Sequence, residues 1–270
     1  MSAEQQNNLA VGQSILAASP GLADAELTGA ELFFASQLLS DDGKLLRALT
    51  DPGRTGQDRA QLARDLFAAH LSKETLQIID ALTMLHWSRA DALPATLEHL
   101  GIESYLRGAQ KAVELRLVES ELFAVSVLLS ESRDLRVQLS DLGEGTVETR
   151  AELIATLLDG HISKITIALV KHAVLVSPHG RLIQSIRAYA RIAAQIGGTK
   201  LVTVTAASEL TGIQRERMKS LIERQLNVPV TLAVAVDKAL IGGFRINYGE
   251  EAVDSSIRSN FNEAKLALER

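Results

Sequence analysis

The sequence predicts a mainly α-helical protein: two tandem helical bundles of five or six helices each, followed by a small α+β module at the C-terminal end. Three observations lead to this prediction. Apolar residues make up 46% of the 270 residues and aromatic residues only 4%, which is typical of packed helices. Most of the chain before Gly197 repeats itself, and β-branched residues become frequent after Gly198.

Composition and charge narrow the possible classes of function. The chain has no cysteine, which excludes disulfides, thiolate metal sites and a cysteine nucleophile. A balance of 28 Lys and Arg against 33 Asp and Glu gives a net charge of −5, so nucleic acid is not an expected partner. No run approaches the roughly 18 apolar residues of a membrane span, and the first residues lack an export pattern. We therefore expect a soluble, cytosolic protein without direct membrane insertion.

The repeat becomes visible when the chain is shifted against itself by 90 residues. Glu31-Leu32-Phe33 then falls on Glu121-Leu122-Phe123, and residues 31–50 contain nine identities where chance would give about one or two. After an insertion of one residue, His70-Leu71-Ser72-Lys73 aligns with His161-Ile162-Ser163-Lys164. A unit of about 90 residues is too long for a single solenoid repeat, so each copy is expected to be a small domain.

Each copy divides into short helices at its turn-forming residues. Breaks are expected near Gly43, Pro52-Gly53, Ser88 and Pro94 in the first copy, and near Gly143, Gly160 and Pro178-His179-Gly180 in the second. Between the breaks, apolar residues at i, i+1, i+4 and i+5, as from Leu153 to Leu158, form one stripe on a helix. We expect one bundle over residues 1–100 and a second over residues 101–197.

The third module, residues 198–270, has a different pattern. Alternating or β-branched segments predict strands at Leu201–Thr205, Val230–Val236 and Phe244–Tyr248. Between the first two strands, Thr211 and Gln214 have the spacing of a capping box that opens a helix. A final amphipathic segment follows Asp254, so the order of elements is β-α-β-β-α.

One group of residues in this module forms a recognisable signature. Its members are Val230, Leu232, Val236, Asp237, Leu240, Gly242, Gly243, Phe244, Ile246, Asn247 and Gly249. The signature resembles that of the delta subunit of bacterial F-type ATP synthase, a family that includes the oligomycin-sensitivity-conferring protein. The resemblance runs from about residue 101 to the end, and we interpret the signature positions as mainly structural.

Three departures distinguish the chain from the usual family pattern. Ser255 stands where the family has a glycine, and Tyr105 is followed by Leu106 where the family has a Tyr-Ala pair. The chain also has two helical domains where most members have one. It therefore resembles a long form with a duplicated N-terminal helical domain.

The resemblance implies a non-catalytic stator subunit without a cofactor. Such a subunit links the catalytic head to the peripheral stalk, so that rotary torque drives ATP synthesis coupled to proton transport. Its helical domain would hold the N-terminal helix of an alpha subunit, and its C-terminal module would hold the end of the b subunit. The protein would then be peripheral, at the cytoplasmic face of the cell membrane.

Candidate contacts follow from the apolar positions of the expected helices, since helix-in-groove recognition uses anchors at i, i+3 and i+4. For the alpha subunit the candidates are Tyr105, Ala109, Ala112, Ile167, Val170 and Val174. For the b subunit they are Phe261, Leu266 and Leu268. Each of these residues has the alternative of packing in its own core.

Other functions have less support in the sequence. The six histidines form neither His-x-x-x-His nor His-Glu-x-x-His, so no metal site is expected, and the paired glycines lack the context of a phosphate loop. No nucleophile and base are recognisable, which argues against an enzyme. Trp87 is interpreted as a core or groove residue. The main alternative to the stator is a generic helical adaptor of another complex.

Overall fold

A computed structural model describes residues 2–18, 23–140, 145–177, 180–236 and 244–248 of the chain. The chain forms two compact units, Met1–Val113 and Glu114–Arg270. The mainly helical class expected from the sequence is confirmed, and the described part contains twelve helices and three strands.

The first unit is a bundle of six helices. They are α1 (Ala3–Ala18), α2 (Ala23–Asp41), α3 (Gly43–Thr50), α4 (Gly56–Phe67), α5 (Lys73–Met84) and α6 (Ala92–Lys111). The most extensive packing is between α2 and α6, while α4 packs on α5 and α1 packs on both α5 and α6. The core between them is mainly aliphatic, with Leu32, Leu39, Ile78 and Leu97 fully buried and Phe67 as its largest fully buried side chain.

The second unit begins with five helices that repeat the packing of the first bundle. They are α7 (Leu115–Glu131), α8 (Arg133–Gln138), α9 (Val147–Leu158), α10 (Lys164–Val176) and α11 (Leu182–Ile196). Helix α7 packs on α11 as α2 packs on α6, and α9 packs on α10 as α4 packs on α5. The internal repeat in the sequence is therefore also a repeat of tertiary structure. No described helix of this unit takes the place that α1 has in the first.

The ends of the helices recur in the two copies because the capping residues recur. Side-chain oxygens of N-cap residues accept a backbone N–H at the start of three helices in each copy: Asp42, Thr55 and Ser72 in the first, Ser132, Thr146 and Ser163 in the second. Such a cap satisfies a donor that the helix itself leaves unpaired, and its loss costs about 1 kcal/mol. Equivalent residues thus start equivalent helices.

Helix α6 crosses the boundary that the sequence suggested at residue 100. Its C-terminal half continues to Lys111 and packs against α2 in the first unit. There the Tyr105 ring stacks on Phe33 with ring centroids 5.7 Å apart, and Gly29 and Gly101 let the two helices approach closely. The first compact unit consequently extends to Val113.

The sheet of the second unit has three strands, as the sequence predicts. They are β1 (Lys200–Ala206), β2 (Val230–Val236) and β3 (Phe244–Tyr248), in the order β2-β1-β3. Strands β1 and β2 are parallel and are connected through α12 (Gly212–Leu226), whereas β3 pairs with β1 in the antiparallel direction. Helix α12 begins with the predicted capping box of Thr211 and Gln214. The expected helix after Asp254 lies outside the described residues.

One face of this sheet forms a small apolar core with α12. Its most buried members are Val202, Val204, Ala206, Val230, Met218 and Ile222. Side chains of a strand alternate between the two faces, so Thr231 lies on the opposite face from Val230. That opposite face borders α7, the first helix of the second unit.

Candidate docking surfaces

Both bundles expose large apolar side chains at equivalent positions. The equivalent pairs are Leu27 and Leu117, Leu38 and Leu128, Leu66 and Leu157, and Met84 and Leu175. All eight side chains are between 37% and 51% exposed. Single exposed apolar residues are common in proteins, but the same exposed positions in two diverged copies indicate a retained surface.

On α2 these residues form a continuous stripe. Leu27, Phe34 and Leu38 are spaced by seven and four residues, which places them on one face of the helix. Phe34 is 52% exposed and is the largest apolar side chain of the stripe. The equivalent stripe on α7 has Ala124 at the position of Phe34, so it is flatter.

On α9 a second stripe is more exposed than its counterpart in the first bundle. Leu153 and Leu157 are one turn apart and are both nearly half exposed. On α4, the equivalent helix of the first bundle, Leu66 is exposed but Leu62 packs against the core. The α9 stripe therefore exposes two leucines where the described part of α4 exposes one.

The structure places three of the predicted alpha-subunit contacts on or next to α6, in the first unit. Tyr105 and Ala109 are buried among the helices of that unit, and Ala112 is exposed just after the helix ends. The prediction had assigned these residues to the second bundle, with the first helix of the family pattern. They lie elsewhere because α6 continues without a break past residue 100.

The other three predicted contacts lie on α10. Val170 and Val174 are buried in the second unit, whereas Ile167 is partly exposed. Helix α10 is apolar on nearly every side, so its sequence pattern does not distinguish a core face from an outer face.

Some of the predicted residues lie outside the described part of the chain. These are the b-subunit candidates Phe261, Leu266 and Leu268, and the signature residues Asp237, Leu240, Gly242, Gly243 and Gly249. Of the remaining signature residues, Val230, Leu232, Phe244 and Ile246 pack in the core of the sheet. Val236 of β2 pairs with Ala206 of β1, and Asn247 of β3 pairs with Thr203 of β1.

A glutamate clasp occurs once in each bundle and joins two helices. In the first, the Glu31 carboxylate on α2 accepts hydrogen bonds from the Ser72 backbone N–H at 2.9 Å, the Ser72 hydroxyl at 2.6 Å and the Thr75 hydroxyl at 2.5 Å. In the second, Glu121 on α7 accepts the same three groups from Ser163 and Thr166. A carboxylate at the start of α5 or α10 also suits the helix dipole. The identity of Glu31 with Glu121 and of Ser72 with Ser163 was the available signal for this contact.

A second glutamate of α7, Glu119, lies between the bundle and the sheet. It is 2% exposed, and its Oε2 accepts a hydrogen bond from the Thr231 hydroxyl of β2 at 3.3 Å. Burial raises the pKa of Glu119 to about 7, although the Thr231 hydrogen bond and the charge of Arg116 act in the opposite direction. No sequence pattern distinguishes Glu119 from exposed acidic residues of the same helix, such as Glu131.

Neither a cluster of metal-ligating side chains nor a helix that could span a bilayer occurs among the described residues. Within them, no group of three or more histidine, aspartate or glutamate side chains is arranged to hold a metal ion. No described helix is both long enough and apolar enough to cross a bilayer. Trp87 is buried, and its indole N–H donates to the Leu82 carbonyl at 2.9 Å.

The described chain thus consists of two related helical bundles that expose apolar stripes, followed by a small mixed sheet. Residues 103–268 match the family model described as the ATP synthase delta (OSCP) subunit. Among relatives, ATP synthase subunit delta of Cutibacterium acnes is 33% identical over 238 residues, covering 88% of this chain and 90% of that protein. The subunit of Beutenbergia cavernae is 32% identical over 253 residues, covering 92% and 93%, and that of Nocardia farcinica is 34% identical over 236 residues, covering 86% of each.

The chain therefore belongs to the ATP synthase delta (OSCP) subunit family, and the resemblance inferred from the sequence is confirmed. Alignments of this length extend well into the first unit, so the relatives share the long form. The expectation of a structural, non-catalytic subunit agrees with this family.

Proposed function

We propose that this chain is the peripheral-stalk subunit that ties the catalytic head of an F-type ATP synthase to the b subunit. It contacts the N-terminal segment of an alpha subunit on one side and the C-terminal end of b on the other. By keeping the head from turning with the rotor, it allows torque to drive ATP synthesis coupled to proton transport. It works at the cytoplasmic face of the membrane as a peripheral subunit.

The observation that carries this proposal is the match of residues 103–268 to the delta (OSCP) family. The exposed apolar stripes support it, because a surface that a partner helix covers must be apolar before the partner arrives. A stator also has to stay bound under load, which requires slow dissociation from large apolar contacts. The bundles provide such contacts on helices that their own cores hold in place.

Within the second bundle, we assign the alpha-subunit helix to the α9 stripe of Leu153 and Leu157. This stripe lies inside the region matched by the family model and is more exposed than its counterpart on the first bundle. Ile167 on α10 remains a candidate for the same contact, since α10 packs against α9. For the b subunit, Phe261, Leu266 and Leu268 remain the candidates.

The assignment is tested with the full chain and a peptide of the alpha-subunit N-terminal helix. Burying a leucine side chain contributes about 1.5–3 kcal/mol, so the double variant Leu153→Ser/Leu157→Ser is expected to weaken binding tenfold or more. Titration calorimetry measures the affinity, and thermal unfolding checks that the exposed substitutions leave the fold intact. Leu66→Ser, at the equivalent position of the first bundle, is the matched control and should bind normally. Equal affinity of the double variant and the wild type, or equal loss in the control, would contradict the assignment.

The wider proposal is tested by purification of the tagged chain from detergent-solubilised membranes. Alpha and b subunits in stoichiometric amounts are the expected companions. Recovery with unrelated proteins, and without alpha and b, would instead identify a helical adaptor of another complex.

A further inference from the structure

Glu119 occupies an unusual position in the second unit. The side chain is almost fully buried at the point where α7 meets the face of the sheet that carries Thr231. Its Oε2 contacts the Thr231 hydroxyl, while its Oε1 has no hydrogen-bond partner among the described residues. Burying an ionised carboxylate with an unsatisfied oxygen costs free energy, so the protonation state of Glu119 affects how stably it is buried.

Three polar contacts in series link Glu119 to the end of α11. The Thr231 hydroxyl lies 3.3 Å from Glu119 Oε2 and 3.0 Å from the Thr199 hydroxyl, which in turn lies 3.2 Å from the Ala194 carbonyl oxygen. The Ala194 carbonyl also accepts the Thr199 backbone N–H at 2.8 Å, so the Thr199 hydroxyl can donate along the series toward Thr231 and Glu119. Oε1 of Glu119 still receives no donor among the described residues, so ionisation would leave a charged oxygen buried without a hydrogen bond.

Few charges near this group compensate for ionisation. On α7, Arg116 is the charged side chain that attracts the carboxylate, and it lies on the exposed side of the helix. From β2 and the start of β1, the facing groups are the hydroxyls of Thr231 and Thr199, and from α11 it is the Ala194 carbonyl. The buried acid accordingly keeps its proton up to a pH of about 7.

The first bundle shows that the helical fold does not require this acid. The equivalent residue is Gly29, which packs against the Tyr105 ring of α6. The glutamate is therefore present where α7 meets the sheet, and it is absent where the equivalent helix α2 meets α6.

We propose that Glu119 is a protonation-dependent latch: its neutral carboxyl docks the C-terminal sheet on the second helical bundle, and its ionisation releases the sheet. A released carboxylate reaches water and titrates near the ordinary value of 4.5. The docked state therefore holds a proton that the released state has lost between pH 4.5 and about 7. Docking is strongest below this interval, weakens about tenfold per pH unit within it, and is independent of pH above it.

The latch is tested by a distance measurement within the second unit. The chain has no cysteine, so Ser120→Cys on α7 and Ser220→Cys on α12 place two spin labels at exposed positions without competing thiols. At pH 5 we expect one narrow distance distribution from the docked sheet. At pH 8 the ratio of docked to released molecules should be about seventyfold lower than at pH 5, giving a second or broader distribution. The same distribution at both pH values would overturn the proposal.

Glu119→Gln in the same labelled background is the matched control. Its amide oxygen can accept from the Thr231 hydroxyl as Glu119 Oε2 does, but the amide does not titrate, so the sheet should stay docked at both pH values. If Glu119→Gln changed with pH as the wild type does, another group would be responsible and the latch would be refuted. Should this variant not fold, the Glu119 side-chain carbon signal in the labelled wild type is titrated by NMR. Titration near 7 is expected, and titration near 4.5 would overturn the proposal.

Discussion

At position 29 of the first bundle stands a glycine, and at the equivalent position 119 of the second stands a buried glutamate. Gly29 allows α6 to approach so closely that a Cβ there would lie 2.5 Å from Tyr105 Cδ2. Glu119 instead faces β2 and bonds to Thr231. The two bundles keep the same helices but differ at this position, which meets α6 in the first bundle and β2 of the sheet in the second.

Contacts inside the bundles have changed much less. The Glu31 and Glu121 clasps are the same three hydrogen bonds, and the caps of three helices recur. The contrast teaches that duplication retained the bonds that fix helix to helix. The position occupied by Gly29 and Glu119 differs together with its neighbour, which is α6 in the first bundle and β2 in the second.

The largest effect is expected when the first bundle is given the residue of the second. In Gly29→Glu, the new side chain meets the Tyr105 ring and brings a charge into a site without a polar partner of its own. The first unit should lose at least about 3 kcal/mol of unfolding free energy, measured by urea denaturation. Gly43→Glu is the control, because a Cβ there meets nothing within 4 Å. A stable Gly29→Glu protein would show that the close approach of α2 and α6 is not required.

A smaller effect is expected at an arginine that occurs in both copies. Arg59 is buried, and its guanidinium donates to the carbonyls of Asp51, Arg54, Thr83, Met84 and Leu85. Lysine has fewer donors and no planar fork, so Arg59→Lys should cost roughly 2–3 kcal/mol. The equivalent Arg150 is only partly buried and donates to the Ser140 carbonyl.

Arg150→Lys should therefore cost less than Arg59→Lys in the same urea titration. Arg47→Lys, an exposed change on α3, sets the background. Equal losses at positions 59 and 150 would mean that the two copies depend on this arginine alike, in spite of its different burial.

The smallest effect is expected at the clasp, and it should be the same in both bundles. Glu31→Gln and Glu121→Gln each replace a carboxylate that accepts three hydrogen bonds by an amide that accepts fewer. Each should destabilise the chain by about 1–2 kcal/mol, with Glu131→Gln on the exposed end of α7 as the control. A clear difference between the two losses in thermal or urea unfolding would break the equivalence of the copies.

Much of the fold followed from the sequence, because the signals were local. The repeat placed equivalent helices, the capping box of Thr211 and Gln214 started α12, and alternation located the three strands. The contact that determines where the first unit ends joins residues that are far apart in the sequence. Helix α6 continues through Gly101, which the Phe33 ring packs against, and no pattern of single residues indicates such a contact.

The surfaces were harder to predict than the fold. Val170 and Val174 have the spacing of partner anchors, but α10 is apolar on most sides and both residues turn inward. Leu153 and Leu157 belong to the single apolar stripe that the sequence predicts together with Ile154 and Leu158. Only Ile154 and Leu158 are buried, since the stripe is wider than the core that it meets. Sequence periodicity predicts which side of a helix is apolar, whereas tertiary packing determines which of those apolar residues remain exposed to solvent.

The glutamate clasp has a consequence for how the bundles respond to force. In each bundle, one carboxylate on the long helix holds a backbone N–H and two hydroxyls from the first turn of another helix. Sliding one helix along the other would have to break these three bonds together rather than one after another. Under shear along the helix axes, such a contact should resist until all three bonds break, and the two helices keep their register until then.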